Sequence, residues 1–230
     1  MLFRQLFDHE SSTFTYLLAD QPGGEALIID PVMENVPQYL ELVNELGLQL
    51  VMAVDTHVHA DHISGAPMLR DSARCMYAMG SETRAECLTY RFSDDDILNI
   101  GALTLRALYT PGHTDDSYSL VMNDRVFTGD TLLIRGTGRT DFQNGDAGAQ
   151  YDSIFGRLLT LPDDMLVYPA HDYEGRTCSS IFEERHFNPR LQVDSREQYI
   201  DRMNALQLDP PRKMGVAVPA NINCGSRRVA

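Results

Sequence analysis

A layered α/β fold is the architecture this sequence predicts. Three observations lead there. Short apolar runs of strand type alternate with segments of helical periodicity. Four of the strand-like runs end in a loop that carries His or Asp. The 230 residues, 43% hydrophobic and 23% charged, suffice for one substantial core without low-complexity tracts. The expected organisation is one domain over residues 1–230, with 187–230 a short C-terminal extension packed on it.

Thr13 to Asp20 alternates apolar residues, with Phe14, Tyr16 and Leu18 on one face, as a half-buried strand does. Gln21-Pro-Gly-Gly24 reads as a turn and Ala26 to Asp30 as a second strand. Val36, Tyr39, Leu40, Val43 and Leu46 recur at helical spacing, with Asn35 as N-cap and Gly47 as stop. Leu50 to Thr56 is a strand of buried type running directly into His57, and Leu103 to Thr110 is a strand ending at Pro-Gly-His113. Tyr118 to Met122 and Arg125 to Thr128 form a hairpin around Asn123-Asp124, whose second arm ends at Gly129-Asp130. A helix is expected from about Gln150 to Leu161, with Tyr151, Ile154, Phe155, Leu158 and Leu159 facing the core. Met165 to Pro169 is a strand that ends at Ala-His171. Beyond Phe187 one helical pattern, Ser195 to Leu206, precedes Asp209-Pro-Pro211.

The charge balance narrows the partners. A formal net charge of −14 opposes binding to a polyanion, because nucleic-acid affinity comes from Lys and Arg neutralising phosphates. No run of about 18 apolar residues predicts a membrane span. The N-terminus lacks a basic start followed by a long apolar stretch, so a cytoplasmic location is the default expectation. Cys75, Cys87, Cys178 and Cys224 are widely spaced without a C-x-x-C pair, and reduced, mostly buried thiols are expected.

The chemistry-bearing signal is Thr56-His-Val-His-Ala-Asp-His62. Four metal-ligating groups within six residues are hard to explain as packing, because burying imidazoles and a carboxylate together is unfavourable unless a cation pairs with them. His113 follows a glycine that permits a tight turn, Asp130 follows an apolar strand, and His171 stands in Pro-Ala-His-Asp. Five of the seven histidines thus stand at strand ends, where ligands gather in layered α/β folds. His9 and His186 lie outside the pattern and read as surface or packing residues.

T-H-x-H-x-D-H, then P-G-H-T, G-D and P-A-H in this order, is similar to the metallo-β-lactamase superfamily over roughly residues 1–190. That resemblance implies an αββα sandwich: two mixed β-sheets flanked by helices. Three further stretches, Leu132 to Gln143, His171 to Thr177, and Asn188-Pro-Arg-Leu191 with Val218-Pro-Ala-Asn221, resemble the persulfide dioxygenases, relatives of glyoxalase II. The resemblance implies one Fe(II) per chain held by His57, His113 and Asp130, a 2-His-1-carboxylate set that leaves coordination positions open. It gives His59, Asp61, His62 and His171 either an orienting role around the ligands and waters or a second metal position. It further implies oxidation of glutathione persulfide with O2 and water to sulfite and glutathione. Arg139 and Arg190 would grip the substrate carboxylates, with Tyr173 as a hydroxyl partner and Arg135 and Arg176 as weaker candidates. A homodimer and a functional link to a rhodanese-type sulfurtransferase belong to the same expectation.

The main rival is a glyoxalase II-type thioesterase with two metals and a bridging hydroxide, for which all seven ligands are present. Glyoxalase II carries a C-terminal helical domain, and one helical pattern after Leu191 is too little for it. Acidity argues against a nuclease, and no flavodoxin-like segment accompanies the chain. A non-catalytic metal-binding or redox-sensing module is the reading from a different class, which the retained ligand set opposes.

Overall fold

The computed structural model describes residues 1–209 and 213–224. A first six-stranded sheet runs in sequence order: β1 (Leu2–Asp8), β2 (Thr13–Ala19), β3 (Glu25–Ile29), β4 (Gln49–Val54), β5 (Met76–Gly80) and β6 (Tyr90–Phe92). Antiparallel pairing from β1 to β3 gives way to parallel pairing from β3 to β6, so the sheet is mixed. The second sheet is built from β7 (Ile97–Ile100), β8 (Leu103–Tyr109), β9 (Tyr118–Val121), β10 (Arg125–Gly129), β11 (Leu166–Pro169) and β12 (Ser179–Ser180). Its order is β12-β11-β10-β9-β8-β7, and the β10–β11 pair is parallel among antiparallel neighbours. The helices are α1 (Val36–Glu45), α2 (Ala66–Ala73), α3 (Ala147–Gly156), α4 (Ile181–Phe187), α5 (Arg196–Asn204) and α6 (Met214–Ile222). Two mixed sheets flanked by helices match the expected fold class.

The chain forms two compact units. The first comprises Met1–Phe92, Ile97–Thr104 and the described residues beyond 209; the second comprises Ser93–Asp96 and Leu105–Asp209. In the first, Leu17, Ile28 and Tyr77 of the sheet pack with Tyr39 and Val43 of α1 and Leu69 of α2. In the second, Val126 and Val167 pack with Ile154 of α3 and Tyr199 and Met203 of α5. The second core draws on residues more than 90 positions apart in sequence, and burial of such side chains contributes about 1.5–3 kcal/mol each.

Several expectations need correction. β2 is buried along its whole length rather than on one face, because β1 and β3 flank it and both faces are covered. Asn35 does stand at the start of α1, but its side chain makes no cap bond and instead donates to Asp8 Oδ1 at 3.1 Å. α3 begins at Ala147, where Asp146 accepts the N–H of Ala149, and ends at Gly156 before a 3₁₀ turn over Leu158–Thr160. Two helices, α5 and α6, follow Leu191 where one was expected. The second escapes a periodicity search because Pro219 lies inside it and removes a backbone donor. Pro210 and Pro211, which follow the expected helix, lie outside the described residues.

The cysteine expectation is also overturned in part. Cys87 and Cys224 form a disulfide across 137 positions, with Cα atoms 5.9 Å apart. Spacing could not reveal it, since the pair meets only after α6 docks. Cys75 and Cys178 are free. Burial pushes the Cys75 thiol up to about 11, which makes it a packing residue rather than a nucleophile.

Candidate metal centre

Each unit carries its own cluster of side chains of metal-ligating type. In the first, parallel strand β4 delivers the chain into an irregular loop from Asp55 to Gly65. His57, His59 and His62 are all buried there, with adjacent ring centroids 4.3 Å apart. Asp30 organises them. It sits at the end of β3 with φ +50°, a left-handed conformation that aspartate tolerates better than most side chains. Its carboxylate accepts the Thr56 N–H at 2.7 Å and the Thr56 hydroxyl at 3.0 Å. Since that hydroxyl is spent on Asp30, its oxygen accepts from His57 Nδ1, 3.0 Å away, and Nε2 is left as the lone-pair nitrogen. Asp30 Oδ1 also lies 3.2 Å from His59 Nε2, which holds that ring by Nε2–H and leaves Nδ1 for coordination. His62 Nδ1 is 2.9 Å from Asp61 Oδ2, and His59, Asp61 and His62 offer ligand atoms within 4.8 Å of one another.

Behind these rings Asp55 accepts from the Tyr77 hydroxyl at 2.9 Å. Burial, reinforced by the charge of Asp30, pushes the Asp55 carboxyl up to about 7. Burial likewise raises Asp30 against the opposing pull of His57 and the Thr56 bonds.

The second unit presents His113, Asp130 and His171. The register of β10 against β11 shifts between Phe127 and Gly129, and Asp130 follows directly where β10 ends. His113 Nε2 is 3.4 Å and His171 Nε2 is 3.7 Å from the same atom, Asp130 Oδ2. The Arg139 carbonyl accepts from His113 Nδ1 at 2.7 Å, so Nε2 again is the lone-pair nitrogen.

Two glycines make this approach feasible. Gly112, at φ +139°, lies flush on α3, where a Cβ would come within 2.3 Å of Gln150. A Cβ on Gly138 would stand 2.2 Å from the Asp130 carbonyl oxygen and 2.8 Å from the His113 ring. Gln150, buried in α3, donates to the Gly138 carbonyl at 3.1 Å and accepts from Tyr199. Gly138→Ala is therefore expected to displace both His113 and Asp130 and to lower turnover on the order of 10²-fold, the scale of a misplacement near 1 Å. Steady-state kinetics check it, and turnover equal to wild type would show that the 137–139 segment yields freely.

The nominated cations differ in their surroundings. Arg139 is committed: it forms a two-pronged pair with Asp141 at 2.6 and 2.7 Å, donates to the Leu208 and Asp209 carbonyls, and stacks on Phe142. Arg135 is held by Glu183 and Glu184, and Arg176 by Glu174. Arg190 is half-buried, its guanidinium donates to Thr137, and among the described residues no carboxylate pairs with it. Burial lowers its pKa, as for a cation without a counter-charge. Tyr173 is 72% exposed and stacks parallel to His171 at 5.9 Å. His9 packs edge-on against Phe7, and His186 bonds the Phe182 carbonyl; both are at the surface.

Sequence reasoning missed Asp30, Gly138, Gln150 and Asn221. Asp30 left a signal as an acid closing an apolar strand, and Asn221 stood in the Val218-Pro-Ala-Asn221 stretch without a role. No helix among the described residues is long and apolar enough to cross a membrane.

Fold and ligand clusters together match one class. The family profile of the metallo-β-lactamase superfamily covers residues 10–171, and the chain belongs to that superfamily. A metallo-β-lactamase from Staphylococcus aureus shares the fold at a TM-score of 0.91 and 24% identity, over 100% of this chain and 74% of that one. The human mitochondrial persulfide dioxygenase ETHE1 is 45% identical over 98% of this chain and 89% of its own length. The crystal structure of ETHE1 from Myxococcus xanthus superposes with a TM-score of 0.96 at 50% identity, covering 98% of this chain and 100% of that one. Within the superfamily the chain is a member of the persulfide dioxygenase family, and the thioesterase reading is not favoured.

Proposed function

We propose that the chain oxidises glutathione persulfide with O2 and water to sulfite and glutathione, using one Fe(II) held by His57, His113 and Asp130. The observation that carries this reading is the donor set. Two imidazoles, each fixed through Nδ1–H so that Nε2 is the lone-pair nitrogen, join one carboxylate, which is the ligand chemistry of non-haem Fe(II) oxygenases. When bound, such an iron supplies the activation of O2 beside a soft sulfur anion.

The chain's own groups do the rest. Asp30 holds Thr56, and Thr56 holds His57; the Arg139 carbonyl holds His113. His59, Asp61, His62 and His171 orient ligands and waters. Arg190, which pairs with no carboxylate among the described residues, is the nominated cation least committed elsewhere and so the first choice for a glutathione carboxylate, with Tyr173 as a hydroxyl partner. Arg139 contributes with whatever donor capacity its bonds to Asp141 and the 208–209 carbonyls leave.

The reading takes residues 1–230 as one catalytic domain with 187–230 its extension. It places that domain in the cytoplasm, whereas the mammalian relatives are named as mitochondrial. A homodimer and a rhodanese-type sulfurtransferase that delivers the persulfide complete it.

Arg190→Ala is expected to raise the KM for glutathione persulfide about tenfold or more with kcat little changed, because it removes binding rather than chemistry. An unchanged KM would take Arg190 out of the substrate site. Arg139→Ala should raise KM less and lower thermal stability, since its bonds anchor residues 208 and 209. The test of the function as a whole is oxygen uptake by anaerobically iron-loaded protein on addition of glutathione persulfide, with S-lactoylglutathione in parallel. Uptake with sulfite release supports it; thioester hydrolysis without uptake would replace it with the two-metal chemistry.

A further inference from the structure

We infer that Asn221 is a positioning residue for the loop that carries His57, His59, Asp61 and His62; the inference rests on the metal-binding role proposed for that loop. Asn221 lies in α6, far from the loop in sequence, and is 4% exposed. Its Nδ2 donates to the carbonyl oxygens of His59 and His62, both at 2.9 Å, and its Oδ1 accepts the N–H of Ser64 at 2.8 Å. Both amide hydrogens and the amide oxygen are therefore used on one loop. A flipped amide would set oxygen against two carbonyls and nitrogen against an N–H, so this network determines its orientation.

The loop needs such a partner. Between the end of β4 and the start of α2 it has no ladder of its own beyond one bridge, Val32 to Ser64. Buried carbonyls at His59 and His62 would be costly without donors. Asp30 and Thr56 orient the imidazoles from one side, through the side chains. Asn221 fixes the backbone that bears them from the other.

α6 is in turn anchored at both ends. At its start Lys213 reaches Glu10 at 2.7 Å. At its end the Glu86 N–H donates to the Ile222 carbonyl, and Cys224 is bonded to Cys87. Asn221 thus projects from a helix tied to the same unit as the loop, and a displacement of α6 would be passed to the histidines through three hydrogen bonds. It touches no ligand nitrogen and acts only through the backbone of its neighbours.

The experiment compares wild type, Asn221→Ala and the control Val216→Ala, an exposed position on α6. Asn221→Ala should weaken Fe(II) binding, measured by chelator competition, by about 10- to 100-fold while the KM for glutathione persulfide stays within about twofold. In the metal-free protein it should speed amide hydrogen exchange at residues 59–64, and Val216→Ala should change neither. If the alanine variant does not fold, Asn221→Asp keeps the volume and the acceptor for Ser64 and loses both donors, with the same expected losses. Wild-type iron affinity together with unaltered exchange, even beside a lowered Tm, would overturn the inference and leave Asn221 a packing residue. A wild-type protein that takes up no iron would instead overturn the proposed function, and exchange in the metal-free proteins would still decide whether Asn221 braces the loop.

Discussion

His113→Ala is expected to lose its stoichiometric iron and to consume O2 with glutathione persulfide at no more than the background rate. The argument starts from what the imidazole does in the second unit. Its Nδ1–H is held by the Arg139 carbonyl and its Nε2 faces Asp130 Oδ2 at 3.4 Å, so the nitrogen lone pair and the carboxylate point to one place. Truncation removes one of three proposed protein ligands, and His171, on the same carboxylate oxygen at 3.7 Å, keeps its own place beside it. The cost to the fold should be small, on the order of 1 kcal/mol for the lost bond to the Arg139 carbonyl. Asp130→Asn should behave similarly, since it preserves the shape and removes the charge. Metal analysis after anaerobic loading, beside circular dichroism, separates the two effects. A folded His113→Ala protein with iron at wild-type stoichiometry would remove His113 from the ligand set.

The largest loss of stability is expected from Glu184→Ala. Glu184 is fully buried in α4, and its carboxylate is the hub of the segment that follows Asp130. It accepts from the Arg135 backbone N–H at 2.8 Å, the Asn188 amide at 2.9 Å, the Ser179 hydroxyl at 2.5 Å and the Arg135 guanidinium. Arg135 itself sits at φ +58°, a conformation these bonds help to hold. Truncation leaves several donors without an acceptor and a half-buried cation with the more exposed Glu183 as its remaining carboxylate among the described residues. Breaking a buried pair by removing one partner costs roughly 3 kcal/mol or more. For a chain of this size that corresponds to a fall in Tm of about 6–12 °C. Glu184→Gln should lose less, because one amide oxygen still accepts. Thermal unfolding followed by circular dichroism measures both, and a change under about 1 °C for the alanine variant would refute the hub role.

Much of the fold was legible because it is written in local periodicity. The strands at Thr13, Arg125 and Leu166, and the helices starting at Val36 and Arg196, lie within a few residues of where the pattern predicts them. α2, α4 and α6 and the short strands β5, β6, β7 and β12 were not. They are brief, or, for α6, interrupted by Pro219, and a segment of five residues or an irregular helix carries too few apolar repeats to stand out.

For the site, the sequence by itself determined the donor inventory and its place at strand ends. A run such as His57-Val-His-Ala-Asp-His62 concentrates ligands within one loop; Asp130 directly follows β10, and His171 and His113 lie in the loops just after β11 and β8. Tertiary structure alone decided which nitrogen each ring presents and what holds the loops still. Asp30 meets His59 across 29 positions, Arg135 meets Glu184 across 49, and Asn221 meets His59 across 162. Cys87 finds Cys224 in the same way. Such contacts follow from how whole strands and helices register against one another, and no local pattern encodes them. A carboxylate, an amide or a thiol reads the same in sequence whether it faces water or completes a buried network, and only the fold settles which.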